Sequence, residues 1–270
     1  MRYAGGLALV VGVGILMTAC SGGEEATTKP TTKMVTPTVT TKPLVVTTVT
    51  PATTPLVTTK PATATPTTTQ AATKQAIDAT KLDAQGYIRQ WLLLAPIGFG
   101  EKYDAEQIEK EQIPGEATMT PKEGDKVKVA SEEGEPGAFK TVQKELTWKP
   151  VVTEEDFIDF NAFLGLDTSD AMGAYAVAYL DVPEEMKGIK FSWSSNDNGL
   201  IYLNGKNVGK YVGGRSLSED SDVADNLTLT KGVNVVVFKV WNDSNNWQGC
   251  VRLLTKDDKP VTNVKVRLTK

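Results

Sequence analysis

Between Ala26 and about Thr73 the chain is built almost wholly from Thr, Pro, Val, Ala and Lys, with no aromatic and no acidic residue. Prolines recur every four to eight positions, and Thr36-Pro37-Thr38-Val39-Thr40-Thr41-Lys42-Pro43 is representative. Such a segment cannot bury enough apolar surface to offset the entropy of ordering it. It is therefore expected to stay unfolded and partly polyproline-like. About fifty residues of this kind reach roughly 150 Å when stretched and roughly 40 Å as a relaxed coil. One reading is a stalk that holds a domain away from a membrane, open to O-glycosylation as Thr/Pro stalks are. The other is a passive spacer with no partner of its own. Both place the working part downstream.

Upstream, a single basic residue, Arg2, precedes an apolar run from about Leu7 to Ala19. A membrane-spanning helix needs roughly 20 apolar residues, so this run is too short to span and has the pattern of a secretory signal. Its end reads Leu16-Met17-Thr18-Ala19-Cys20-Ser21-Gly22-Gly23. This resembles the lipobox of bacterial lipoproteins, with Met17 standing where that family usually has Leu. The resemblance implies that Cys20 is acylated, becomes the mature N-terminus and anchors the chain in a membrane of the bacterial cell envelope. Acyl chains contribute about 0.8 kcal/mol per buried methylene, so several of them hold a protein durably. Ser21, rather than Asp, implies the outer membrane or cell surface. The alternative is an ordinary cleaved signal with an incidental cysteine. The expected organisation is a signal over 1–19, a lipidated start and tether over 20–75, a junction over 76–86 and a domain over 87–270.

The chain has two cysteines and no histidine. If Cys20 carries lipid, Cys250 has no partner in the chain. Cys250 lies in an apolar alternation and reads as a small buried residue rather than a reactive thiol. Without histidine there is no Ser-His-Asp or Cys-His nucleophile, no imidazole-ligated zinc and no imidazole acid–base chemistry. Carboxylate chemistry and oxygen-ligated metals remain. A formal net charge of −4 and the lack of a basic block point away from nucleic acid.

From Tyr87 onward about 185 residues remain, enough for one sizeable core. The apolar runs are short and rich in β-formers: Ile88 to Ala95, Tyr175 to Val182, Ile189 to Trp193, Leu200 to Leu203, Val223 to Leu229, Val233 to Trp241, Gly249 to Leu254 and Val261 to Leu268. Turn residues punctuate them at roughly 8–12-residue intervals, which predicts an all-β sandwich or barrel. Asn204-Gly205, between Leu200–Leu203 and Lys206-Asn207-Val208, predicts a hairpin, because a type I′ turn needs positive φ at both positions. Asp104 to Gln112 predicts one short helix carrying Ile108. The polar, glycine-rich stretch from Pro114 to Pro136 predicts an excursion outside the main sheets.

Two stretches carry a family resemblance. Tyr87-Ile88-Arg89-Gln90-Trp91-Leu92-Leu93-Leu94-Ala95-Pro96-Ile97 resembles the opening strand of certain bacterial extracellular β-sandwich modules. Tyr202-Leu203-Asn204-Gly205-Lys206-Asn207-Val208-Gly209, Gly232-Val233-Asn234 and Trp247-Gln248-Gly249-Cys250-Val251-Arg252 are similar to galactose-binding-domain-like jelly rolls that accompany glycoside hydrolases. The resemblance implies a jelly-roll β-sandwich that binds sugar, binds protein or braces a neighbour. The chain leaves no room for the catalytic barrel beside which such modules sit.

Sugar binding calls for an aromatic face beside amides, carboxylates and guanidinium groups. Trp91 and Trp193 share strand parity with apolar neighbours and are expected in the core. Trp241 and Trp247 flank Asn242-Asp243-Ser244-Asn245-Asn246, so Trp241, Asn242, Asn245 and Trp247 are candidate ligand residues. The other reading is that one or both rings close the end of the sandwich. Asn196 and Asp197 add hydrogen-bonding groups, although Asn and Asp before Gly also form turns on geometry alone. Arg215 either binds sugar hydroxyls or ties a salt-bridged loop. Asp220, Asp222 and Asp225 are oxygen ligands that a structural calcium would use, though six to eight oxygens are needed. The pairs Glu154-Glu155-Asp156 and Glu184-Glu185 read as solvated surface rather than the paired carboxylates of a glycoside hydrolase. The expectation is a membrane-tethered, non-catalytic module that recognises carbohydrate. The alternative is a structural or protein-docking sandwich, and a carboxylate-based hydrolase ranks below both.

Overall fold

A computed structural model describes residues 78–100, 108–135 and 137–270, all within the unit Thr69–Lys270. Cys20, the signal segment, the tether and the first part of the expected 104–112 helix, 104–107, lie outside the described residues; of the rest, only 108–109 are helical. In chain order the strands are β1 (Gln90–Gly98), β2 (Lys126–Glu133), β3 (Lys140–Thr147), β4 (Lys149–Val152) and β5 (Ile158–Asp159). The short helix α1 (Phe160–Leu164) follows, then β6 (Met172–Val182), β7 (Met186–Asn196), β8 (Asn198–Leu203), β9 (Lys206–Tyr211), β10 (Asp222–Leu229), β11 (Gly232–Asn242), β12 (Gln248–Leu254) and β13 (Lys265–Arg267). Among the described residues no helix is long and apolar enough to cross a membrane.

The fold is all-β, with antiparallel sheets arranged as a sandwich. A seven-stranded sheet has the order β4-β1-β6-β11-β8-β9, and β13 pairs with β6 beyond the end of β1. A four-stranded sheet has the order β10-β7-β12-β5, and β2 pairs with β3 alone. Alternation decides what fills the space between the two larger sheets. Trp91 and Leu93, Ala174 and Ala176, and Val236, Phe238 and Val240 meet Phe191, Trp193, Val251 and Leu253. Both Trp91 and Trp193 are buried in this core, as strand parity requires.

The opposite face of the seven-stranded sheet is also covered. Leu92, Leu94, Val177, Val235, Val237 and Trp241 pack beneath Ile108, Ile113, Val129, Leu146 and Trp148. The expected excursion, 114–136, therefore lies outside the main sheets, but it contributes β2, which forms a hairpin with β3 just beyond it, and it makes its own apolar contacts. Its signal is weak because Val127, Val129 and Ser131 alternate with Lys and Glu, and the paired strand is largely exposed. At the centre of this layer lies a buried ion pair. Lys239 on β11 holds both oxygens of Glu116 at 3.1 Å and donates to the Lys110 carbonyl at 2.7 Å. Tyr202 Oη donates to Glu116 at 3.1 Å, and Tyr175 Oη is bonded to the same carboxylate.

The predicted Asn204-Gly205 turn is present, with φ of 50° and 82°. Its side chain also fastens a second turn. Asn204 Nδ2 donates to Asn234 Oδ1 at 2.8 Å, and Asn204 Oδ1 accepts from the Val235 amide at 2.8 Å. Asn234, fully buried, satisfies the Thr230 amide and carbonyl in the turn before β11. The asparagine after Gly232-Val233 thus joins two hairpins, which gives that short motif a packing reason.

Candidate functional site

One end of the sandwich gathers the β7–β8 junction, the loop 212–221, the loop 243–247 and the chain entering β6. Asp197 organises it with both carboxylate oxygens. Oδ1 accepts from the Arg215 amide and Oδ2 from the Asp243 amide, each at 2.8 Å. Asn198 Oδ1 accepts from the Gly213 amide at 2.9 Å. Asn242 Nδ2 donates to the Ser169 carbonyl at 2.7 Å, and the Asn245 carbonyl accepts from Asn161 Nδ2 at 2.8 Å. Asp170 Oδ1 accepts from the Asn245 amide at 3.2 Å.

The sequence-selected residues Asn196, Asp197, Trp241, Asn242, Asn245 and Trp247 are thus brought to one end, and Arg215 is tied to it through Asp197. The two indoles do not present faces to solvent, and here the expectation of stacking rings is corrected. Trp241 is 1% exposed and stacks on Phe99 at 6.0 Å; Trp247 is 0% exposed and stacks on Phe160 at 5.0 Å. They close the end of the sandwich from opposite faces of the large sheet. Gly173 makes room for the first, since a Cβ there would lie 2.4 Å from the Trp241 ring. Asn242 is equally buried, while Asn245 and Asn246 remain exposed.

Arg215 forms a salt-bridged loop. Its Nε donates to the Ser195 carbonyl at 2.8 Å, its Nη2 lies 2.5 Å from Asp222, and its guanidinium sits 3.5 Å over the Tyr211 ring. Asp220 is gripped by Arg252 through both oxygens. Burial alone would raise the Asp220 carboxyl, but hydrogen bonds from Ser192 and Arg252 hold it below the usual carboxylate range. Two of the three acids considered for calcium, Asp220 and Asp222, therefore turn to two different guanidinium groups, and Asp225 is exposed on β10. Among the described residues no group of three or more His, Cys, Asp or Glu is placed to hold a metal ion. Of the other acids, Asp156 pairs with buried Arg89, and Glu185 lies 2.9 Å from Lys187. Cys250 is buried without a disulfide, and burial pushes its thiol up to about 12.

Beside this end lies a hollow of about 400 Å³ between the tip of the β2–β3 hairpin and the start of β6. Phe139, Pro96 and Met172 give it apolar wall, and Ser131, Glu132 and Asp170 give it polar wall. Lys144 also lines it and pairs with Glu133 at 2.9 Å. Asp170 is shared between the hollow and the exposed amide loop, through its bond to the Asn245 amide. Sequence reasoning missed Phe139 and Asp170, because only the tertiary placement of the hairpin brings them together. Nearby, Asn161 Oδ1, Asn196 Oδ1, Asn242 Oδ1 and the indole nitrogens of Trp241 and Trp247 are buried with no protein partner.

No protein-family model matches the chain, and no curated protein matches it significantly.

Proposed function

We propose that the domain is a galactose-binding-like jelly roll that binds carbohydrate at this end and is held in the bacterial cell envelope by lipid on Cys20. The observation that carries the reading is the hollow itself. It sets the half-buried Phe139 ring beside Asp170 and Glu132, next to the exposed amides Asn245 and Asn246. A pyranose offers an apolar face to a ring and hydroxyls to carboxylates and amides, which is the mixture found here. The sandwich-like sheets and the Asn204–Asn234 clasp support the jelly-roll reading. The short apolar run before Cys20 supports the anchor.

The test is binding of the full chain, in detergent, to a panel of glycans and insoluble polysaccharides, with calcium and with chelator. Saturable binding should weaken about tenfold, roughly 1.4 kcal/mol, in Phe139→Ala and in Asp170→Asn, with unchanged melting. A well-folded chain that binds nothing on the panel would discard the carbohydrate reading in favour of protein docking. For the anchor, labelling cells with an alkyne analogue of palmitate should mark the wild-type chain and leave Cys20→Ala unmarked. Label persisting in that variant would end the lipoprotein reading.

A further inference from the structure

Lys239 and Glu116 are the one described ion pair with both side chains fully buried. Every other described pair keeps at least one member in contact with solvent. Lys239 Nζ lies 3.1 Å from both carboxylate oxygens, so the carbon joining them is about 3–3.5 Å from the nitrogen, the spacing of a near-attack arrangement. The Trp241 ring at 4.8 Å and the Tyr175 ring at 5.5 Å wall the ammonium from water. The two oxygens of Glu116 differ in their surroundings. Oε2 accepts from buried Tyr175 Oη and from the Gln112 amide, the latter at 3.2 Å. Oε1 accepts from Tyr202 Oη at 3.1 Å, and Tyr202 is the half-buried member of the cluster. Glu111 accepts from the Glu116 amide at 3.1 Å and so holds the turn that carries the carboxylate. Lys239 also donates to the Lys110 carbonyl at 2.7 Å.

We infer that Lys239 and Glu116 condense to an isopeptide bond that ties the excursion covalently to β11. Burial favours the uncharged amine, so the ammonium first passes a proton to Oε1. Glu116 takes that proton itself, and no separate base is required. The amine lone pair then forms a bond to Cδ, and the electrons of the C=Oε2 bond move onto Oε2. There Tyr175 and the Gln112 amide receive the developing charge. A second proton moves from nitrogen to Oε1 through the Tyr202 hydroxyl, which gives one proton and takes another. The Cδ–Oε1 bond breaks, one water leaves along the half-buried side of Tyr202, and nothing is oxidised or reduced. In the product the new N–H donates to the Lys110 carbonyl, and the amide oxygen keeps Tyr175 and Gln112 as donors. Condensation also removes two charges from an interior that opposes them. It follows folding, because the ionic contact must form first. The bond joins residues 123 apart in sequence and uses no lining residue of the hollow assigned to sugar.

The test is peptide mapping of the full chain, incubated just below its melting transition and then digested with trypsin in denaturant. Condensation predicts a branched species in which Glu111–Lys122 is joined to Gly232–Arg252, uncut after Lys239 and lighter than the two peptides together by one water. Its yield should rise with first-order kinetics, at a rate independent of chain concentration. Tyr175→Phe and Tyr202→Phe should each slow its formation about a hundredfold, with the melting temperature measured in parallel. One folded tyrosine variant suffices, and the wild-type map alone decides whether the bond exists. Recovery of Gly232–Lys239 and Val240–Arg252 in full yield would overturn the proposal and leave the pair ionic. So would a branched species whose fragmentation places the link elsewhere, or one whose rate a folded tyrosine variant leaves unchanged.

Discussion

The two faces of the seven-stranded sheet are buried alike but built differently. Toward the four-stranded sheet lies a large apolar cluster, in which Trp193 meets Phe238 edge-on at 5.9 Å. Toward the 108–148 segment, an ammonium and a carboxylate sit at the centre of the layer with side-chain exposures of 0% and 3%. Burial pushes the Lys239 ammonium below its usual value, and Glu116 opposes that shift. Burial likewise lifts the Tyr175 hydroxyl well above its usual value, with Glu116 adding to the effect. The inner face follows from hydrophobicity and alternation, which many sequences satisfy. The outer face requires one carboxylate to arrive at one ammonium. A buried pair of this kind adds little net stability but penalises every arrangement that separates its members. The long excursion is thus held in one register by electrostatics, where its largely polar strands give apolar packing little to grip.

The sharpest way to break this comparison is Lys239→Met, which strands Glu116 in the interior and should cost about 3–5 kcal/mol in urea unfolding. Adding Glu116→Leu should restore most of that loss, because an apolar pair needs no solvation. A double variant as unstable as the single one would show that the layer depends on shape alone. Gly173→Ala should be milder, about 1–3 kcal/mol, because the new methyl must displace the Trp241 ring without creating an unpaired charge. Equal losses from Gly173→Ala and Lys239→Met would erase the distinction between steric and electrostatic control. The smallest effect belongs to the part-exposed pair Asp220–Arg252 on the four-stranded sheet. Because the folded Asp220 carboxyl lies below its unfolded value of about 3.9, its contribution is present above that pH and fades as pH falls through the folded value. Melting scans from pH 7 to 3 should therefore show a shallower acid limb in Asp220→Asn than in wild type. Superimposable limbs would remove this pair from the account.

These contrasts also explain what could be read in advance. β6, β7, β11 and β12 were legible because their apolar alternation is dense, and the β8–β9 hairpin because Asn204-Gly205 has few other conformations open to it. The β2–β3 hairpin was not, since Val127 and Val129 are isolated among charges and their burial depends on a surface supplied elsewhere in the chain. Lys239 gave no warning either: a lone lysine on a strand normally marks the solvent face, and its partner lies 123 residues away. At the candidate site, Trp241 and Trp247 drew notice through their polar neighbours. Among those neighbours Asn242 bonds the Ser169 carbonyl, while the rings themselves pack on Phe99 and Phe160. The hollow depends on Phe139 and Asp170, which no local pattern joins. Arg215 was legible as one of two options, and Tyr211 and Asp222 decided between them.

Asp197 has a consequence for anyone who would re-engineer this end. Its two oxygens hold the backbone of two loops, at Arg215 and at Asp243, so the loops behave as one lever with a shared fulcrum. Lengthening either should swing the other. Libraries that randomise 244–246 while keeping Asp197, Gly213 and Arg215 would vary the exposed amides on a fixed mount, whereas a library that touches the fulcrum would sample misassembled ends rather than new specificities.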